Sequence, residues 1–333
     1  MLKIGYLPGD GVGKEVLAEG RKVLDALEEI DWVDYPYSGE HYLKTGELLP
    51  DDALEEMKKL NAIYLGAVGH PKVKPGIIER EVLLKLRFGL DLYANIRPVK
   101  IYPNIPIPIQ KKIDIYFVRE NTEDFYVGIS GNHKDSSFQV GIITKKGSER
   151  IMEYGFELAK KKKKNLVTSV DKANVLNFYH LWRESFEKVG SKFPDIKKEF
   201  VFVDAMALYL VTKPDYFQVV VTPNMFGDIL TDLSAALQGG MGMASSGNIH
   251  PGKIGMFEPV HGSAPDIAGK GIANPYASIL SAAMMLDFLG KEKSAQKIEE
   301  AVKKALMKNF KTPDIGGKNK TSEVGEAVLK ELK

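Results

Sequence analysis

Asp228 and Asp232 stand four residues apart in Asn224-Met225-Phe226-Gly227-Asp228-Ile229-Leu230-Thr231-Asp232. On a helix that spacing puts both carboxylates on one face, a turn from each other. Neighbouring carboxylates raise each other's pKa unless a cation lies between them. An all-oxygen ligand set selects a hard cation such as Mg²⁺ or Mn²⁺. The alternative is two solvated carboxylates, one of them capping a helix start. A third carboxylate, Asp204, closes an expected strand in Val203-Asp204-Ala205-Met206. Strand ends are where α/β proteins gather ligands, which favours the metal reading.

Arginines form a second group. Arg87 and Arg97 flank Asp91-Leu92-Tyr93-Ala94-Asn95-Ile96, and Arg119 follows an apolar run at 113–118. A lone arginine is usually a surface charge. Three beside apolar runs suit a pocket for carboxylates, because a guanidinium fork takes a carboxylate through two hydrogen bonds. Tyr126 adds a phenol, and Lys172, in Ser169-Val170-Asp171-Lys172-Ala173-Asn174, adds an amine after another strand. Together these residues supply a metal site, an acid, a base and a carboxylate clamp, the requirements of a decarboxylating dehydrogenase.

Two other features are weaker. Pro8-Gly9-Asp10-Gly11-Val12-Gly13 lies between a strand and a helix, but Lys14 breaks the G-x-G-x-x-G spacing of a dinucleotide turn. It reads as a nucleotide loop or simply as a tight turn. The lysine run 160–164 reads as an anion or RNA patch, or as a helix end whose cations favour the C-terminal dipole. A formal net charge of only +2 supports the helix end.

The elements that must position these groups alternate. Strands are expected at 3–7, 62–65, 113–118, 166–169, 200–204 and 218–222, and a helix at 14–29. Such alternation predicts an α/β fold. Residues 97–109 are proline-rich and predict an extended crossing segment. Residues 128–144, rich in β-formers, predict a hairpin arm suited to an oligomer contact. Glycine-rich loops are expected at 239–252 and 258–275. The 333 residues exceed one small core and predict one large domain or two medium ones. Absence of cysteine excludes a disulfide scaffold, a thiolate metal site and a cysteine nucleophile. The first seven residues are too short for a signal-peptide core. The longest apolar stretch, 279–289, is interrupted by Ser281 and Asp287 and falls short of the ~20 residues a membrane span needs. These features fit a cytoplasmic protein.

Taken in order, the motifs carry a resemblance. Gly9-Asp10-Gly11-Val12-Gly13, Leu86-Arg87, Ala94-Asn95-Ile96-Arg97-Pro98, Val118-Arg119-Glu120-Asn121-Thr122-Glu123, Asp171-Lys172-Ala173-Asn174-Val175, Val203-Asp204-Ala205, the 224–232 segment and Glu258-Pro259-Val260-His261-Gly262-Ser263-Ala264-Pro265-Asp266-Ile267-Ala268-Gly269 span nearly the whole chain. In this the chain resembles the β-decarboxylating dehydrogenases, whose members act on 3-isopropylmalate, isocitrate, homoisocitrate or tartrate.

The resemblance implies a two-domain α/β fold of the isocitrate/isopropylmalate dehydrogenase type, not a Rossmann fold, with a β arm at a dimer interface. Residues 1–95 with 240–333 would form the cofactor domain, and residues 96–239 the dimerisation, substrate and metal domain. Arg87, Arg97 and Arg119 would hold the malate carboxylates. Asp228 and Asp232 would bind Mg²⁺ or Mn²⁺ with Asp204 of the partner subunit. Lys172, also from the partner, would take the hydroxyl proton, and Tyr126 would protonate the enol carbon. His261, Gly262, Ser263, Ala264, Asp266, Ile267 and Asn274 would bind NAD, with Asp266 accepting from the ribose hydroxyls and repelling a 2′-phosphate. On a helix expected at 78–87, Leu83 and Leu84 lie one turn before Arg87 and suit an isopropyl group. The implied activity is NAD-dependent oxidative decarboxylation of 3-isopropylmalate to 2-oxoisocaproate and CO₂ in leucine biosynthesis, by a homodimer or tetramer. Arg80 stands where many relatives carry Glu and keeps a second reading open: homoisocitrate or isocitrate oxidation of broad specificity, as in lysine biosynthesis. A non-catalytic anion- or RNA-binding protein, resting on the 160–164 lysines, is the rival from another class.

Overall fold

The structure is a computed structural model and describes residues 1–332 of the chain. It divides into two compact units. Unit 1 comprises residues 1–92, 101–108 and 235–332, and unit 2 comprises residues 93–100 and 109–234.

In chain order, unit 1 begins with β1 (Leu2–Leu7), α1 (Gly13–Asp25), β2 (Ile30–Asp34), α2 (Gly39–Thr45), α3 (Asp51–Met57), β3 (Ala62–Leu65), a π-helical segment (Glu79–Leu84) and α4 (Lys85–Gly89). Unit 2 carries β4 (Ala94–Lys100), β5 (Asp114–Glu120), β6 (Ser130–His133), β7 (Ser136–Gln139), α5 (Lys145–Lys161), β8 (Leu166–Asp171), α6 (Tyr179–Gly190), β9 (Lys197–Phe202), α7 (Val203–Thr212), β10 (Val219–Thr222) and most of α8 (Asn224–Leu237). Unit 1 resumes with β11 (Ser245–His250), β12 (Ile254–Pro259), α9 (Tyr276–Phe288), α10 (Glu292–Met307) and α11 (Thr321–Leu332).

Strands of unit 1 run in the order β2-β1-β3-β12-β11, parallel except for the last pair. Ile4, Ile63, Tyr64 and Leu65 are fully buried in them, as a sheet covered on both faces requires. Val16, Leu17, Val23 and Leu24 recur at helical spacing and turn one side of α1 into the core. The apolar 279–289 stretch is mostly α9, buried nearly all round inside the unit. Among the described residues, no helix is long and apolar enough to cross a membrane.

Unit 2 orders its strands β4-β5-β10-β8-β9, with β4 antiparallel to β5 and the rest parallel. Phe156 of α5 stacks on Phe186 of α6 at 5.4 Å between ring centres. Trp182 Nε1 donates to Ser169 Oγ at 3.0 Å, so its one polar group is satisfied in the core. At the end of β8 the buried Asp171 accepts from Arg183 Nε and Nη2 at 2.7 and 2.9 Å. That fork fixes the strand end from which Lys172 emerges.

The α/β alternation read from the sequence is present. Residues 128–144 do form a hairpin, β6 with β7, whose base is bridged between Asp124 and Ile142. Three local readings change. Residues 239–252, expected as a loop, contain β11. Its Ser245, Ser246 and Asn248 are buried but bonded, Asn248 Nδ2 donating to Glu258 Oε1 at 2.8 Å. Small polar residues disguised a core strand. The strand expected at 200–204 ends at Phe202, so Asp204 lies in the first turn of α7 rather than on a strand end. The helix expected at 78–87 is π-helical through Leu84 and α-helical only from Lys85. The lysine run closes α5, as a helix end does.

Candidate active site

In unit 2 the chemistry is set by strand register. Asn95 of β4 faces Arg119 of β5, so Arg97, two residues on, lies on the same face and diagonally across from Arg119. Both guanidinium side chains are buried, and α8 brings two carboxylates to them. Gly227 permits that approach, since a Cβ there would lie 2.6 Å from Arg119 Cγ. Arg97 Nη1 donates to Thr231 Oγ1 at 2.6 Å and to Asp232 Oδ1 at 3.1 Å, and its Nη2 reaches Asp228 Oδ1 at 3.4 Å. Arg119 Nη1 pairs with the same Asp228 oxygen. The Tyr126 hydroxyl donates to Asp228 Oδ2 at 3.0 Å. Burial and the neighbouring Asp228 push the Asp232 carboxyl up, against the pull of Arg97 and Arg119.

Two guanidiniums and two carboxylates sum to zero formal charge. A divalent cation on the exposed side of the Asp228–Asp232 pair would leave a surplus of two positive charges, which two substrate carboxylates would balance. The donor set is all oxygen, which fits Mg²⁺ or Mn²⁺. Among the described residues no group of three His, Asp or Glu side chains could hold a metal, so one chain offers only this pair. Asp204 is elsewhere in unit 2, on the surface of α7. It accepts from Lys172 Nζ at 2.7 Å, and that ammonium holds its carboxyl below the usual range. The expected base and the expected third ligand therefore form one ion pair.

Arg87, in unit 1, is buried and donates through Nη2 to Glu258 Oε1 at 3.1 Å, while its buried Nε has no partner among the described residues. Leu83 packs on the core of unit 1, Leu84 is half-buried, and Arg80 is exposed on the π-helical turn.

The cofactor residues named from the sequence also lie in unit 1, around a cavity of about 270 Å³. His261, Ala264, Ile267 and Asn274 line it together with Val12 and Asp314. Burial lowers the His261 pKa, so the ring is neutral near pH 7. Its Nδ1 lies 3.0 Å from the Gly262 carbonyl oxygen and must carry the proton. That leaves Nε2 as an acceptor, buried and without a partner among the described residues. An adenosine amino or hydroxyl group would satisfy it. Asp266 is exposed. Gly262 and Ser263 build the loop rather than line the cavity. Val12 N–H donates to the Ser263 carbonyl at 2.9 Å, and Gly11, at φ +54°, leaves only 2.1 Å between that oxygen and a would-be Cβ. The glycine motif is thus a support for the loop that carries Ser263. Asp10 adds to it by accepting from Gly39, Glu40 and Gly69 N–H groups.

Sequence reasoning missed several supporting groups. Asn224 accepts from Arg119, Glu258 holds Arg87, and Asp314 accepts from Asn274 Nδ2 at 3.0 Å. The first two stand inside segments that carried the resemblance. Asp314, in an ordinary Thr-Pro-Asp turn, gave no signal.

Comparison with known proteins gives the chain its relatives. A family model described as isocitrate/isopropylmalate dehydrogenase matches residues 3–328. A relative named 3-isopropylmalate dehydrogenase from Corynebacterium jeikeium is 45% identical, with 100% of each chain covered. One of the same name from Streptomyces griseus is 42% identical over 98% of this chain and 97% of that one. Among solved structures, an isocitrate dehydrogenase from Methylococcus capsulatus superposes with TM-score 0.94 at 36% identity, covering 100% of this chain and 99% of the other.

Proposed function

The chain belongs to the isocitrate/isopropylmalate dehydrogenase family, and on that premise we propose that it is an NAD-dependent 3-isopropylmalate dehydrogenase of leucine biosynthesis. The observation that carries the chemistry is the Asp228–Asp232 pair held against Arg97 and Arg119 with the Tyr126 hydroxyl on the same carboxylate. Full-length relatives named for 3-isopropylmalate carry the substrate assignment.

In this reading Arg87, Arg97 and Arg119 hold the carboxylates of the hydroxy acid. Asp228 and Asp232 hold Mg²⁺ or Mn²⁺, with Asp204 of a second copy as third ligand. When bound, the cation polarises the substrate oxygen and the nicotinamide accepts the hydride. Lys172, from the same second copy as Asp204, would take the hydroxyl proton as the neutral amine, once its ion pair has opened and its ammonium proton has passed to water. Tyr126 then delivers its phenolic proton to the carbon that has lost CO₂, and Asp228 orients that phenol beforehand. Leu83 and Leu84 face the isopropyl group. His261, Gly262, Ser263, Ala264, Asp266, Ile267 and Asn274 bind NAD, and Asp266 disfavours a 2′-phosphate. Unit 1 is then the cofactor domain, and unit 2 the substrate, metal and dimerisation domain. Exposed Phe138 on the arm, Leu208 on α7 and Ile229 on α8 support a homodimer, because large apolar side chains on three elements of one unit suit a covered surface. A biosynthetic reaction on small acids fits the cytoplasm.

Steady-state assay with 3-isopropylmalate, homoisocitrate, isocitrate and tartrate, each with NAD and Mn²⁺, tests the assignment. 3-Isopropylmalate should give the highest kcat/KM. A value for homoisocitrate tenfold above it would overturn the substrate.

A further inference from the structure

We infer that Asn224 is a positioning residue that holds Arg119 by a neutral amide, so that the guanidinium is oriented without its charge being cancelled. The inference rests on the reading of the Arg119 site given above. Arg119 and Asn224 are both 1% exposed. Asn224 Oδ1 accepts from Arg119 Nε at 3.0 Å and from Nη2 at 2.7 Å. Its Nδ2 donates to the Glu123 carbonyl oxygen at 3.2 Å. This fixes the orientation of the amide. Reversed, it would set two donors against a guanidinium and an oxygen against a carbonyl.

A guanidinium edge of this kind is most often met by a carboxylate. Aspartate has the shape to fill position 224 and would bind the same edge more strongly. Its second oxygen would then oppose the Glu123 carbonyl, and its charge would neutralise Arg119. With asparagine, Arg119 keeps its direct ion pair with Asp228, the carboxylate assigned to the cation, while Asp232 and the buried Asp124 act on it as neighbouring charges. Once that carboxylate engages a cation, Arg119 is left, oriented and charged, for a substrate carboxylate. The amide is itself anchored. Asn224 begins α8, and the next residue, Met225, donates its backbone N–H to the buried Asp124 carboxylate at 3.0 Å. Asp124 also accepts from the Tyr179 hydroxyl at 3.3 Å. The start of α8 is thereby docked on the turn that joins Arg119 to Tyr126.

The test compares two substitutions in the full-length enzyme. Asn224→Asp keeps the shape and adds charge. It should raise KM for the hydroxy acid at least tenfold and, because Arg119 then competes less for Asp228, tighten Mn²⁺ binding at least threefold by calorimetry. Asn224→Ser removes the two-bond hold without adding charge. It should raise KM about fivefold and weaken Mn²⁺ binding, because Arg119 turns fully onto Asp228. Opposite shifts in Mn²⁺ affinity support the inference. A KM within twofold of wild type in either variant overturns it, as does weaker or unchanged Mn²⁺ binding in Asn224→Asp. Should Asn224→Asp fail to fold, Asn224→Ser decides alone, with raised KM and weakened Mn²⁺ binding at an unchanged melting temperature expected. The Mn²⁺ titrations need no substrate and test Asn224 whichever acid is turned over. Wild-type enzyme inactive on all four acids would instead strike the functional reading.

Discussion

The cavity of unit 1, proposed for NAD, and the charged cluster of unit 2 are built on opposite plans. The cavity is formed within one chain, is largely apolar, and presents a neutral histidine. Its loops are held by backbone hydrogen bonds and by Glu15, which accepts from Gly269 and Gly271 N–H groups at 2.5 and 3.1 Å. The charged cluster has its cations and anions paired against one another, and among the described residues one chain brings no group of three metal-ligating side chains to it. A ligand that is the same in every turnover suits a preformed pocket. In the proposed mechanism, groups that must change partners during chemistry are stored as ion pairs, and their charge is released when the reactants arrive.

The largest expected effect would show that the two regions divide binding from chemistry. Tyr126→Phe should lower kcat by roughly 10²–10⁴-fold, the usual worth of a positioned general acid, with KM for NAD within threefold of wild type. A comparable loss in NAD affinity would break the division.

A second effect separates them by pH. Burial pushes the Glu120 carboxyl up to about 7, although Thr122 and Glu123 donors pull it back. Its folded pKa therefore exceeds the unfolded value, and the folded state holds the extra proton. The associated stability is present below about pH 4.5 and is lost as pH rises through about 7. Glu120→Gln cannot titrate and should flatten the fall in the urea midpoint between pH 5 and 8, a difference on the order of 2 kcal/mol. An unaltered slope would move the source of the pH dependence away from Glu120.

The smallest effect concerns the cavity alone. Asp266→Ala should raise KM for NAD about tenfold, or ~1.4 kcal/mol, and narrow the preference over NADP, while kcat at saturating NAD stays within threefold. Preference for NAD left unchanged would remove Asp266 from cofactor choice.

Much of this was readable in the chain. The four-residue spacing of Asp228 and Asp232 does put them on one helix, and the strand leading to Arg119 was visible in its apolar run. β11 was not, because Ser245, Ser246 and Asn248 look like loop residues until their partners are known. The π-helical turn before Arg87 was hidden too. A window of apolar residues sets that a helix forms, not how its hydrogen bonds are spaced. Asp204 was assigned to a strand end, but the apolar residues from Val203 to Leu210 begin a helix one residue earlier.

Sequence alone determined which groups are present, their local spacing and the alternation of strand and helix, because these depend on side-chain chemistry and on periods of two and 3.6 residues. Tertiary structure decided that Arg119 answers to a neutral amide 105 residues away, and that Lys172 is paired with Asp204. It also decided that the first glycine motif supports a loop contributed from position 263. Those pairings arise where separate parts of the chain are brought within hydrogen-bond distance. No local preference encodes them, since the free energy of each depends on a partner the neighbouring residues do not specify.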